Sequence, residues 1–468
     1  MLPSAPELVA RFLRANGYTQ TLNSFVQEAE LPPDIGAASD SLVTIESVLQ
    51  EKKKFDLSLS FEKLGVDDKE RGWAARAPAH PKVVGSLPNR SNILSISVLD
   101  LLLPSVADTR QYIAVTTADR QLHLMDPRTQ DLRLAHTFSS FQDSPTLDIV
   151  PIDPQHLLIA SMSGKLILFN TASNTVLEER KDHTKYLVKL STFPLEGGLM
   201  LIASAGWDAK IFLYQLDVRA EKPRLGDPVA TLTLPSIPES TMFVTLPGDE
   251  TPALVVARRD STFLHYYAVP DAGSSSFTLV GKQNLAPHSN AWVAFTPSDI
   301  QICPKNPYLV AVATSSTPHM KLLIVKLLLP PTRSSGPSAE AGVDSDGPVT
   351  QASQVRAELA VADKEEAAIL VNVSTLAPQT SYSTPRLVWR PDGSGVYVSS
   401  DDGVVRGIEA KSGKLIASLE AHEPGSKLRC LWAGHMVRDR APGSDDDSQV
   451  EYLISGGFDQ KLIVWSPL

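Results

Sequence analysis

Apolar residues along the chain follow two different periods. Near the start they recur every three or four positions: Leu8, Val9, Phe12 and Leu13 form one stripe, and Leu22, Phe25, Val26 and Ala29 form a second. That spacing predicts two short helices. Ser4 followed by Glu7 has the form of a capping box, with Pro6 tolerated in the first turn. Asn16-Gly17 predicts the stop, because glycine accepts the left-handed conformation that ends a helix, and Thr19 is placed to cap the second helix. Leu42, Ile45, Val48 and Leu49 predict a further helix over 39–64, running through Lys52–Lys54 to Phe55, Leu57, Leu59 and Phe61. Residues 65–81, with Gly72, Pro78 and Pro81, predict a linker.

From about residue 82 the period shortens to runs of alternating or continuous apolar residues punctuated by turn residues. Two of these runs align without gaps. The segment from Ser204 through Trp207-Asp208 and Lys210 to Tyr214 matches that from Ser455 through Phe458-Asp459 and Lys461 to Trp465. Each predicts a strand, a tight turn carrying Asp, and a second strand. Weaker copies run from Thr116 to Met125 around Asp119, from Ile159 to Phe169 around Ser163-Gly164, from Asp260 to Tyr266, from Asp402-Gly403 to Ile408, and, without a turn Asp, from Leu309 to Val325. Internal repetition at a spacing of roughly 45–60 residues is the signature of an array of like sheets.

The seven units resemble WD repeats, and that resemblance covers residues 82–468. In the WD family a His, a Ser or Thr, the turn Asp and a Trp can form a hydrogen-bonded tetrad. Here His422, Ser455, Asp459 and Trp465 fit all four positions. His183, Ser204 and Asp208 fit three, with Tyr214 in place of the Trp. The fold implied is mainly β, a seven-bladed WD-repeat β-propeller. Four-stranded blades bury their faces only against neighbours, so they close into a ring. The last unit lacks a fourth strand, and Val83, Val84 and Leu87 are placed to supply it by pairing residues 82–87 with 461–465. The Pro-, Ser-, Gly- and acid-rich stretch 330–364 predicts a disordered insertion in the fifth unit.

The N-terminal stripes are similar to the LisH motif, a paired-helix dimerisation element, over residues 4–34. The matching positions are Leu8, Phe12, Leu13, Gly17, Tyr18, Thr21, Phe25 and Glu28. Phe12 stands where the motif usually has Tyr, and Leu22 where it usually has Ala. Helices shorter than roughly 12–15 residues are marginal alone, so the stripes require cover. A second copy of the chain, which the resemblance implies, and docking on the rest of the same chain both provide it.

Composition narrows the chemistry. The formal charge is −10, so nucleic acid is not the expected partner. Two cysteines, Cys303 and Cys430, make no disulfide framework and fit a reducing compartment. The apolar run Leu322–Leu329 is too short to span a bilayer. The N-terminus has no secretory pattern. The expectation is an intracellular protein, nuclear or cytoplasmic, without membrane attachment. There is no phosphate loop, nucleophile elbow or closely spaced His/Cys set, so neither catalysis nor a metal or other cofactor is expected. Lys165, Lys210 and Lys461 recur after the turns and would form a basic rim if they line one ring; ordinary solubility of strand starts competes with that reading. Arg258 and Arg259 are further candidates for partner contact, since arginine is enriched at binding hot spots. The resulting expectation is a non-catalytic scaffold or adaptor that forms a homodimer and binds other proteins, with a ubiquitin-ligase substrate receptor as the alternative.

Overall fold

In the computed structural model, the described residues are 5–37, 44–45, 73, 75–139, 143–248, 251–270, 275–289, 295–330, 351–437 and 450–467. The chain divides into two units, Met1–Gly72 and Trp73–Leu468.

In the first unit α1 spans Ala5–Ala15 and α2 spans Thr19–Glu28. Gly17, at φ +73°, makes the reversal, and the Tyr18 amide returns to the Leu13 carbonyl at 2.9 Å. Tyr18, not Thr19, is the N-cap of α2, and no side chain caps it. The tight turn at Gly17 starts the helix one residue early, with the Leu22 amide bonding the Tyr18 carbonyl at 2.9 Å. Ala10 and Leu22 are buried, whereas Leu8, Phe12, Leu13, Phe25 and Val26 stay half-buried and Gly17, Tyr18, Thr21 and Glu28 are exposed. A groove of about 370 Å³ runs along α2, lined by Leu22, Val26, Leu31 and Pro33 among others. The Ser4 cap lies outside the described residues, as does the expected 39–64 helix apart from Thr44 and Ile45.

The second unit contains seven four-stranded antiparallel sheets among its described residues. In chain order, blades 1 to 6 span 93–138, 146–180, 187–233, 238–284, 296–378 and 387–420. Blade 7 is built from 428–435, 451–457 and 462–466, with β1 (His80–Val83) as its outer strand. The first strand of each blade packs on the first strand of the next, and that of blade 7 on that of blade 1. The sheets therefore form a closed ring. Seven apolar clusters fill the seven spaces between adjacent blades. Because both faces of a blade are covered, the middle strands read as continuous apolar runs, such as Val310–Ala313 and Leu322–Val325.

Polar links join neighbouring inner strands. Asp148 of blade 2 accepts from the Leu190 amide of blade 3 at 2.9 Å, and Asp299 of blade 5 from the Leu387 amide of blade 6 at 3.1 Å. Ser191 of blade 3 donates to the Thr241 carbonyl of blade 4 at 2.9 Å.

Closure differs in detail from the sequence expectation. His80 pairs with Ser466 and Val83 with Ile463, and the Val84 amide bonds the Leu462 carbonyl at 2.9 Å. Pairing thus begins two residues earlier than 82 and ends at 84. Pro81 is tolerated because an edge strand leaves half its amides free. Val83 is 51% exposed and Val84 only 6%, as alternation requires. Leu87 has left the strand and packs partly buried against the core between blades 7 and 1.

The expected linker is also tied down at its end. Trp73 sits against Gly395 and Gly407 of blade 6, where an added Cβ would come within 2.3 Å of the indole in each case. The Arg390 guanidinium lies 4.3 Å from the Trp73 ring, donates to the Ala75 carbonyl at 3.1 Å and pairs with Glu451 of blade 7. Tyr397 donates to the same carboxylate at 3.1 Å.

The disordered insertion expected at 330–364 is corrected in its second part; residues 331–350 lie outside the described residues. Gln351–Ala368 forms α3, which runs directly into the outer strand of blade 5, Ile369–Pro378. Residues 351–368 are rich in Ala, Glu and other strong helix formers. The buried Glu365 accepts the Asn284 amide of blade 4 at 2.7 Å. Averaging across 330–364 let the Pro/Gly/Ser half mask the helical half. No helix among the described residues is long and apolar enough to cross a membrane.

Candidate interaction surface at the mouth of the ring

At one face of the ring the second and third strands of each blade turn, and the connections between blades enter the inner strands. We call this the turn face. Its best-ordered corners are the two tetrad positions. In blade 7, His422 Nδ1 bonds Asp459 Oδ2 at 2.8 Å, its Nε2 bonds Ser455 Oγ at 2.8 Å, and Trp465 Nε1 donates to the same hydroxyl at 2.8 Å. In blade 3, His183 bonds Asp208 and Ser204, each at 2.9 Å. Tyr214, at the Trp position, instead donates to Asp182 Oδ2 at 2.8 Å, and Asp182 also holds Arg180. Burial opposes ionisation of Asp208 and Asp459. The histidine, together with backbone amides of Thr184 and Lys210 or of Glu423 and Lys461, outweighs it and holds both carboxyls below their usual range. Buried groups bonded this completely are structural, fixing the inter-blade connection onto the turn.

Fixing those corners places a ring of side chains at equivalent positions. The residue after each second strand bonds back to the incoming connection: Trp207 to the Tyr186 carbonyl, Arg259 to Ile237, Phe458 to Lys427, Met162 to Pro145. Phe458 and Met162 remain exposed, at 44% and 48%. Tyr186 and Trp207 stack at 4.5 Å between centroids, and the Arg259 guanidinium covers Trp207 at 5.0 Å. Arg259 also pairs with Glu239 at 2.6 Å; burial nonetheless raises the Glu239 carboxyl. Arg386 of blade 6 approaches Asp299 of blade 5 at 3.8 Å. Arg429 of blade 7 donates to Thr384 at 2.7 Å and lies within electrostatic reach of Arg386 and of Tyr186 in blade 3. Blades 3 and 7 are not neighbours, so Tyr186 and Arg429 can interact only across the axis. These side chains line its mouth.

The family of the chain follows from this architecture and from direct comparison. A family model described as UCP007778, beta-propeller domain, matches residues 76–465. The chain belongs to this β-propeller family. No curated protein matches it.

Within the propeller, the pairing of the recurring lysines favours strand-start solubility over a basic rim. Lys165 is held between Asp143 at 2.8 Å and Glu179 at 2.6 Å, and Lys461 pairs with Glu423 at 3.4 Å. Each starts a third strand beside acidic neighbours and is neutralised by them; Lys210 is half-buried. Of the two adjacent arginines, Arg259 belongs to the mouth, whereas Arg258 turns to Ser236 at 2.9 Å and leaves its Nε buried without a partner among the described residues. The sequence reading missed Tyr186, Trp207, Glu239, Arg386 and Arg429. One available signal was Arg429 itself, a charge inside the apolar strand Leu428–His435. Among the described residues, no three His, Cys, Asp or Glu side chains group to hold a metal. Cys303 and Cys430 are free and buried, and burial pushes the Cys430 thiol up to about 12.

Proposed function

We propose that this propeller, of the WD-repeat type, is a non-catalytic scaffold that binds other proteins at the turn face. The observation that carries the reading is the mouth itself. Half-buried aromatics and arginines from four blades converge there on rigid, hydrogen-bonded turns, the side-chain types that dominate binding hot spots. The Ser204 and Ser455 hydroxyls that bond histidine there are buried in the blade corners, which fits a structural and not a catalytic use.

The N-terminal helices fit a pairing role. Their stripe of Leu8, Phe12, Leu13, Phe25 and Val26 is only half covered within their own unit. A LisH-type homodimer would bury it and present two mouths, which raises avidity by about 10²–10⁴ where geometry permits. The protein is read as intracellular, without membrane attachment.

The test is capture of partners from native cells by three forms: wild type, Trp207→Ala with Arg259→Glu, and Phe12→Asp with Phe25→Asp. The mouth variant is expected to lose the wild-type partner set while melting at the wild-type temperature. The helix variant is expected to be a folded monomer by light scattering and to retain partners more weakly. A mouth variant with an unchanged partner set refutes the binding face, and a monomeric wild type refutes the dimer.

A further inference from the structure

We propose that the mouth around Arg429 is a binding site for a carboxylate side chain of a partner peptide. The proposal rests on the scaffold reading and names the chemistry it recognises.

Arg429 is placed there by a β-bulge. Leu428 pairs with Gly457 and Cys430 with Gly456, which leaves Arg429 without a partner across the sheet. A bulge re-aims the side chain it carries, and here the side chain donates to Thr384 at 2.7 Å and feels the charge of Arg386 and the Tyr186 hydroxyl. Glu239 occupies the corresponding bulge of blade 4, between Pro238 and Ser240.

One guanidinium at the mouth lacks an ion-pair partner. Among the guanidiniums there, Arg259 pairs with Glu239 and Arg386 approaches Asp299, whereas Arg429 has no carboxylate partner among the described residues. Nearby Asp401 is held by Lys427 at 3.2 Å and by Ser383 at 2.5 Å. Burial, with Arg386 beside it, pulls the Arg429 pKa down to about 10. A half-buried guanidinium with one hydroxyl for company lowers stability unless an anion joins it. In a chain of net charge −10, a cation kept unpaired at the axis calls for a ligand.

The unpaired group carries a single positive charge. A carboxylate cancels it, whereas a phosphate would bring about two negative charges toward Glu239 and Asp299. A guanidinium also binds a carboxylate in bidentate fashion. The Tyr186–Trp207 stack beside it gives an apolar residue next to that carboxylate a surface to cover.

The test is fluorescence anisotropy with the full chain and a fluorescein-labelled peptide of alternating Glu and Leu, compared with Gln and phosphoserine versions. The Glu peptide is expected to bind at least about tenfold tighter than the Gln peptide. Arg429→Gln is expected to remove that preference, Arg429→Lys to keep part of it, and Arg429→Gln to melt no lower than wild type. Equal binding of Glu and Gln peptides, or an Arg429→Gln variant with wild-type preference, overturns the proposal. An Arg429-dependent preference for phosphoserine over Glu overturns the carboxylate assignment in favour of phosphate. Partner capture through Trp207 and Arg259 by a protein that binds none of the three peptides refutes this site while leaving the scaffold standing.

Discussion

His422, Ser455, Asp459 and Trp465 show how much a residue pattern can reveal. Their resemblance to the WD-repeat tetrad implied a hydrogen-bonded set, and the side chains meet at 2.8 Å. Tyr214 was legible only as a departure, because its hydroxyl donates to Asp182, a partner outside the four-residue pattern. Arg429 stands out in the sequence only as a charge within an apolar strand; its direction depends on a bulge, a matter of backbone register that composition does not carry. The Asp459 carboxyl, lowered from 3.8, contributes stability that is present above that value and disappears as pH falls through its lower folded value. Asp459→Asn should therefore be less stable than wild type at pH 7, with the gap closing as pH drops below about 4. Urea titrations of both proteins at neutral and acid pH check this, and a gap that holds constant with pH would deny the carboxylate its role.

At the scale of elements, strands in the middle of blades were the most readable, because burial on both faces writes a continuous apolar run. Edges were less so. The closing strand was placed two residues late, since Pro81 resembles a linker residue and Val83 and Val84 fit either register. The α3 helix was hidden by the composition of residues preceding it. Trp73 gave no signal, because its seat is made by the glycines at 395 and 407, far away in sequence. Deleting residues 80–84 removes the last ladder of blade 7 and with it the buried Val84, whose burial alone is worth about 1.5–3 kcal/mol. The melting temperature should fall by several degrees. An unchanged melt would show that another segment closes the ring.

At the scale of the whole molecule, the seven cores lie between blades rather than within them, so each blade depends on its two neighbours. Stability and function separate accordingly. Apolar residues hold the ring from inside, while the turn face carries polar and aromatic groups that the ring holds still. The number of repeats predicted this arrangement, but the meeting of Tyr186, Arg259, Arg386 and Arg429 needed the ring to be closed first. The central claim is that partners bind at this mouth, and hydrogen-exchange mass spectrometry of the protein with and without its captured partner tests it most directly. Slowed exchange is predicted in residues 184–189, 205–209, 236–240, 257–261, 382–387 and 427–430, with outer strands such as 175–180 and 278–284 unchanged. Protection confined to the outer strands, with those segments exchanging as before, would contradict the account.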